Sequence, residues 1–189
     1  MNTSTTTLQY RIGQPDGQCR YPVIIGEDQV IGHAYRWHRD WLIVTSAGER
    51  NLRRPATGAR GVDMAAAVIV EEYAAGRITA VPLTQALATE ARADGPAPLL
   101  HPRMPVTARN IASARKAFAG LSAHSWRAFS GFPGSDNPWF LACELCGWEG
   151  PRYWSHLRGR NSQPPTASRH PGGCIGEDKV RELIAAYHG

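Results

Sequence analysis

Residues 139–174 read WFLACELCGWEGPRYWSHLRGRNSQPPTASRHPGGC, and this stretch decides how the chain is organised. It carries three of the four cysteines and two of the seven histidines. Cys143 and Cys146 form a C-x2-C knuckle, and His170 and Cys174 form an H-x3-C pair. Thiolates and imidazoles at these spacings can converge on one tetrahedral zinc ion. Five residues compete for four places: the spacing favours Cys143, Cys146, His170 and Cys174, with His156 as the alternative ligand. Protein then fills every place, so the zinc is predicted to be structural, with no open position for water. Gly147 stands where the backbone must turn tightly after the knuckle, and Pro171, Gly172 and Gly173 exclude a regular helix in the second pair. The nearby arginines would offset the negative charge of a three-thiolate site.

Between the two pairs, Tyr153-Trp154-Ser155-His156-Leu157-Arg158 resembles the helix of a C2H2 zinc finger, and the segment as a whole resembles a C2HC/C2H2-like zinc-finger module. Asn161 and His170 also have the N-x8-H spacing of HNH nucleases, which likewise sit among zinc knuckles. Beyond Cys174, residues 177–188 are expected to form a terminal helix. Its apolar face is Val180, Leu183, Ile184 and Tyr187, packed on the knuckles, Trp148 and Trp154, and Glu177 with Arg181 makes an i,i+4 pair. On the N-terminal side, Trp139 to Ala142 reads as a strand entering Cys143. Residues 122–129 are expected to form a helical turn carrying Trp126. Thr107 can cap a helix with the stripe Ile111, Ala114, Phe118 and Leu121, ending near Gly120. Arg109, Arg115 and Lys116 fall off that stripe, which makes the helix basic and amphipathic.

The first half alternates differently. In Ile31, His33, Tyr35 and Trp37 the bulky residues recur every second position, against Gly32, Ala34, Arg36 and His38 on the other face. That is a strand, and residues 41–44 return after a turn at His38-Arg39-Asp40. Further strands are expected at 8–12, 21–25 and 51–55. A helix follows, capped by Asp63, with Ala66, Ile69, Val70 and Tyr73 on one face and Gly76 at its end. A second short helix is expected over 81–93, with Pro82 near its first turn. Cys19 reads as a packed side chain or an exposed thiol rather than a ligand. Three strands and an Ala-rich helix over residues 29–76 resemble the AP2-type DNA-binding domain. That resemblance implies a sheet entering the major groove with Arg36, Trp41, Arg53 and Arg54 as the contacts.

The expected fold class is therefore α+β, with a small N-terminal antiparallel sheet plus helix and a helical C-terminal part built around the zinc knuckle. The expected divisions are a disordered tail (1–7), a sheet-plus-helix domain (8–93), a linker (94–104) and a helical zinc-binding domain (105–189). The net charge is +5, and residues 95–135 and 151–170 contain no acid. Acid-free basic tracts suit a polyanion, which adds Arg152, Arg158, Arg160 and Arg169 to the candidate nucleic-acid contacts. No apolar run approaches the ~20 residues of a membrane span, and the N-terminus has no secretory pattern, so a cytoplasmic location is expected. Nucleotide-binding loops, nucleophile elbows and paired-carboxylate sites are all missing from the sequence. The reading is a zinc-stabilised nucleic-acid-binding protein of regulatory or accessory type, DNA more than RNA. In its layout it looks like small zinc proteins of phages and mobile elements. The alternatives are a protein-binding adaptor and an HNH-like nuclease.

Overall fold

The computed structural model describes residues 8–89, 96–159 and 164–187. The fold is α+β, and contacts divide the chain into two units. One consists of Met1–Asp16 with Arg20–Ala91, the other of Gly17–Cys19 with Arg92–Gly189.

The first unit is a six-stranded antiparallel sheet. Its strands are β1 (Tyr10–Ile12), β2 (Tyr21–Ile25), β3 (Gln29–Trp37), β4 (Asp40–Thr45), β5 (Gly48–Asn51) and β6 (Val81–Pro82). The first five lie in sequence order, and β6 pairs with the first residues of β3. Helix α1 (Gly61–Ala74) covers one face, burying Ala65, Ala66 and Ile69 against Val23, Ala34 and Ile43. Burying Ile69 completely contributes ~1.5–3 kcal/mol. The small side of β3 is the helix side, and sterics explain why. A Cβ on Gly32 would lie 2.9 Å from the Val44 carbonyl oxygen and 3.1 Å from Ile69 Cγ2. The bulky residues Tyr35 and Trp37 point the other way. Helix α2 (Leu83–Thr89) adds a second small cluster, with Ala86 on Ile24 and Val30.

Two local expectations change. Helix α1 starts two residues before Asp63, which lies in its first turn and ion-pairs Arg60 at 3.5 Å instead of capping. There its charge still favours the positive helix end. The helix stops as expected: the Arg77 amide donates to the Glu72 carbonyl and the Gly76 amide to that of Tyr73, with Gly76 at φ +70°. Strand β5 begins at Gly48 rather than Asn51, because the Ser46-Ala47 turn is tight and Thr45 already pairs with Gly48.

The second unit combines helix and sheet. Helix α3 (Ala108–Ala123) is capped by Thr107, whose side-chain oxygen accepts from the Asn110 amide at 3.2 Å. Strands β7 (Trp126–Ala128), β8 (Pro138–Cys143) and β9 (Glu149–Tyr153) form an antiparallel sheet in that order. Short helices α4 (Trp154–Leu157) and α5 (Glu177–Leu183) and a 3-10 turn (Ala185–Tyr187) complete it. Ala114, Ala117 and Leu121 of α3 pack on Trp126, Trp139, Leu141 and Trp154. Gly120 lies under Trp154, where a Cβ would come within 2.1 Å of the ring. The expected helical turn over 122–129 is a strand instead: Ser125 reverses the chain at φ +52°, and Trp126 pairs with Cys143. The terminal helix is also shorter. It ends at Leu183, which is exposed, and Ile184 continues in an extended conformation. Val180, Ile184 and Tyr187 still point inward, against Leu145 and Cys174. The Glu177–Arg181 pair forms at 2.9 Å.

Candidate metal centre

Strand β8 delivers Cys143 to its end, where the chain reverses into β9. The Gly147 amide donates to the Cys143 carbonyl at 2.8 Å, and the Cys143 amide to that of Trp148 at 2.8 Å. Gly147 sits at φ +76°, a backbone region few other residues occupy, and this closes the turn with Cys146 at its outer edge. Residues 166–174 bring the second pair back to it. The His170 amide donates to Ser168, and the Gly173 amide donates to the His170 carbonyl at 3.1 Å.

These two turns gather Cys143, Cys146, His170 and Cys174 so that one ligand atom from each lies within 4.8 Å of all the others. The Cys143 and Cys174 sulfurs are 3.7 Å apart, and Cys146 Sγ lies 3.1 Å from His170 Nε2. Tetrahedral zinc with bonds of ~2.3 Å to sulfur places sulfurs ~3.8 Å apart, so the donor set fits such an ion in both chemistry and spacing. His170 Nδ1 is 3.1 Å from the Pro171 carbonyl. A carbonyl can only accept, so Nδ1 carries the proton and Nε2 keeps its lone pair for the cluster. Trp148 stacks flat on the imidazole, 4.7 Å between centroids and 2° between planes, and fixes the ring's orientation.

The thiols differ. Burial pushes the Cys143 thiol up, but the Leu145 amide and the Arg169 guanidinium outweigh it and hold the thiol below its ordinary value. Cys174 is pushed up to about 11, by burial first and then by its sulfur neighbours. The structure therefore favours charge on Cys143, and a divalent cation would draw the other two into the anionic form.

Other candidates fall elsewhere. His156 is exposed on α4 beside Tyr153 and takes no part in the cluster, because α4 turns that position outward. Cys19 is buried and also outside it. Asn161 and Arg160 lie outside the described residues. Arg169 was expected as a nucleic-acid contact, and the structure corrects this: it is 0 % exposed and donates to Cys143 Sγ at 3.3 Å. Arg152 is half-buried on β9, its Nε enclosed without a partner, and burial lowers its pKa. Arg158, Arg109, Arg115 and Lys116 are exposed.

In the first unit, residues 29–74 do run strand, strand, strand, helix. The four residues named for groove contact are nevertheless not one surface. Trp41 packs against α1, where a Cβ on Gly61 would meet its indole nitrogen at 1.8 Å. Arg36 pairs with Trp41 across the strands and so shares the helix-side face. Its Nε donates to the His38 carbonyl. Arg53 and Arg54 lie beyond β5, exposed, with Arg54 3.9 Å from Asp40. No protein-family model, curated protein or solved structure matches the chain. Tyr187 was expected beside the knuckles and nearby arginines were expected to offset their charge; what sequence reasoning missed is that Arg169 itself is buried there, with Trp126 against it. One signal was present: an arginine beside a ligand histidine, in a tract without acids.

Proposed function

We propose that the chain is a zinc-stabilised nucleic-acid-binding protein of regulatory or accessory type, acting on DNA in preference to RNA. The metal is structural in this reading, because the four gathered side chains leave no place for water or substrate. The observation that carries the binding reading is the outer face of α3. Arg109, Arg115 and Lys116 stand exposed there, while Ala114, Ala117 and Leu121 anchor the opposite side in the core. Arg109 and Lys116 are two helical turns apart, ~10 Å along the axis, on one side of the helix. The helix has no acid of its own, nor has the chain from residue 96 to 135. A rigid cationic face of this kind binds phosphates by releasing counterions, without regard to sequence.

The test is fluorescence anisotropy on duplex DNA, single-stranded DNA and RNA across roughly 50–200 mM salt. Binding should weaken steeply with salt. Replacing Arg109, Arg115 and Lys116 together by Ala should reduce the log–log salt slope by ~2–3, about 0.9 for each phosphate no longer neutralised. No binding to any of the three at low salt would sink the reading, and a co-purifying protein partner in its place would favour the adaptor.

A further inference from the structure

Arg169 is the most unusual residue in the described chain. Its side chain is fully buried, and its backbone lies at φ +63°, a conformation that non-glycine residues seldom hold. No carboxylate among the described residues forms an ion pair with it. One terminal nitrogen donates to the His124 carbonyl at 2.7 Å and to the Tyr187 hydroxyl at 3.3 Å. The other donates to the Ser125 carbonyl at 2.9 Å and to Cys143 Sγ at 3.3 Å. The guanidinium carbon lies 4.5 Å over the Trp126 ring, and Nε is buried with no partner.

A buried cation needs an anion, because carbonyls and ring faces replace only part of its hydration. Two ionisable groups are in reach: burial pushes the Tyr187 phenol up and keeps it neutral, which leaves the sulfur of Cys143 as the anion. Three thiolates and an imidazole around a divalent ion carry one net negative charge, and one guanidinium cancels it. The planar fork suits this place better than an ammonium would, since one plane serves two carbonyls and a sulfur together. The same bonds tie the cluster to the end of α3 through His124 and to the last turn through Tyr187.

Resting on the zinc reading, we propose that Arg169 is a positioning residue of the metal centre: its guanidinium neutralises the thiolate cluster and holds the Cys143 sulfur in place. Outer-shell partners of this kind set metal affinity without touching the metal.

Zinc content and affinity of the full-length protein come first, by competition with a chromophoric chelator. Wild type should hold about one zinc per chain. A wild type that binds none overturns the metal reading, and this proposal with it. Arg169→Met should lose ~10–100-fold in zinc affinity, and Arg169→Lys should recover part of it. In the cobalt-loaded form the thiolate-to-metal band of Arg169→Met should move to longer wavelength, because a sulfur that loses an N–H donor gives up electrons more readily. Unchanged affinity and an unchanged band, with only a lower melting temperature, would overturn the proposal and leave the zinc reading standing. Wild-type protein loaded with 113Cd serves if the variants do not fold. It should show a slowly exchanging Arg169 Nη–H resonance with scalar coupling to the metal through the Cys143 sulfur. A zinc-binding wild type whose cadmium form shows no such coupling overturns the proposal as well.

Discussion

The two units build their cores by different means. In the N-terminal unit a nine-residue central strand carries a helix across its small face, and the buried set is aliphatic: Val23, Ile31, Ile43, Ile69 and Ile78. That apolar area is buried between the sheet and its own helix. In the C-terminal unit the strands are three, six and five residues long, and the core is aromatic: Trp126, Phe132, Trp139 and Trp154 beside Leu121 and Leu141. Its last described segment, 164–187, contributes only one short helix and one 3-10 turn. Such a segment has little regular structure to hold it, and a metal bound by the four-ligand cluster would supply the missing cross-link between β8 and this segment. The difference shows why one unit can be read from periodicity and the other is organised around side-chain chemistry.

Removing the metal should break this comparison most strongly. In zinc-finger peptides metal binding contributes on the order of 10 kcal/mol, as much as the whole stability of a typical domain. Cys146→Ser, or strong chelation of the wild type, should therefore abolish amide-exchange protection in β7, β8, β9 and 164–187. Strands β2, β3 and β4 should keep theirs. Protection in the C-terminal unit that survives chelation would show that its aromatic core suffices alone.

A smaller effect tests what the units share. Each places an indole on a glycine: Trp41 on Gly61 and Trp154 on Gly120. Alanine is the better helix residue by ~1 kcal/mol, so on propensity alone Gly61→Ala and Gly120→Ala would stabilise. The added methyls would lie 1.8 and 2.1 Å from the rings, and forcing a group into a packed site costs ~1–3 kcal/mol. Both variants should be net destabilised, by up to ~2 kcal/mol, in urea unfolding. Trp154→Phe should relieve Gly120→Ala in a double-mutant cycle. Additive effects would mean that the indole does not press on the glycine.

The residues themselves explain what could be read in advance. The cluster was legible because its spacings are local: two cysteines on one turn, and a histidine and a cysteine on another. Strand β3 was legible because alternation is written into it, and β2 and β4 because each is a short apolar run bounded by a turn. The Thr107 cap and the Gly76 stop depend only on neighbours along the chain. Trp126 was not legible, because its strand conformation depends on pairing with Cys143, seventeen positions on, and local propensity does not carry that information. His156 stood in the sequence as the alternative to His170, and only the orientation of α4, which turns it outward, removes it. Arg169 counted as surface because arginine is rarely buried, and only the placement of Cys143, Trp126 and Tyr187 around it reverses that.

The smallest effect asks whether the acid sensitivity of the C-terminal unit belongs wholly to its metal ligands. Cys143, Cys146, His170 and Cys174 must shed protons to bind, so metal loss on acidification is expected in any case. His101 adds a second, independent source. Burial first, and the Arg103 charge second, lower its pKa from 6.5 to about 4. Its Nδ1 accepts the Arg103 amide at 3.2 Å, a bond only the neutral ring can make. With the folded value depressed, the unfolded chain takes up the proton first. Stability from this group is therefore complete above about pH 6.5 and declines as pH falls from there toward 4. Because the ring is partly open to solvent, the loss by pH 5.5 should be about 1 kcal/mol rather than the full shift. His101→Gln cannot take up that proton. Its stability between about pH 7.5 and 5.5, measured by urea unfolding at saturating zinc, should fall less than that of the wild type by this amount. Identical pH dependence in the two proteins would assign the whole acid response to the cluster.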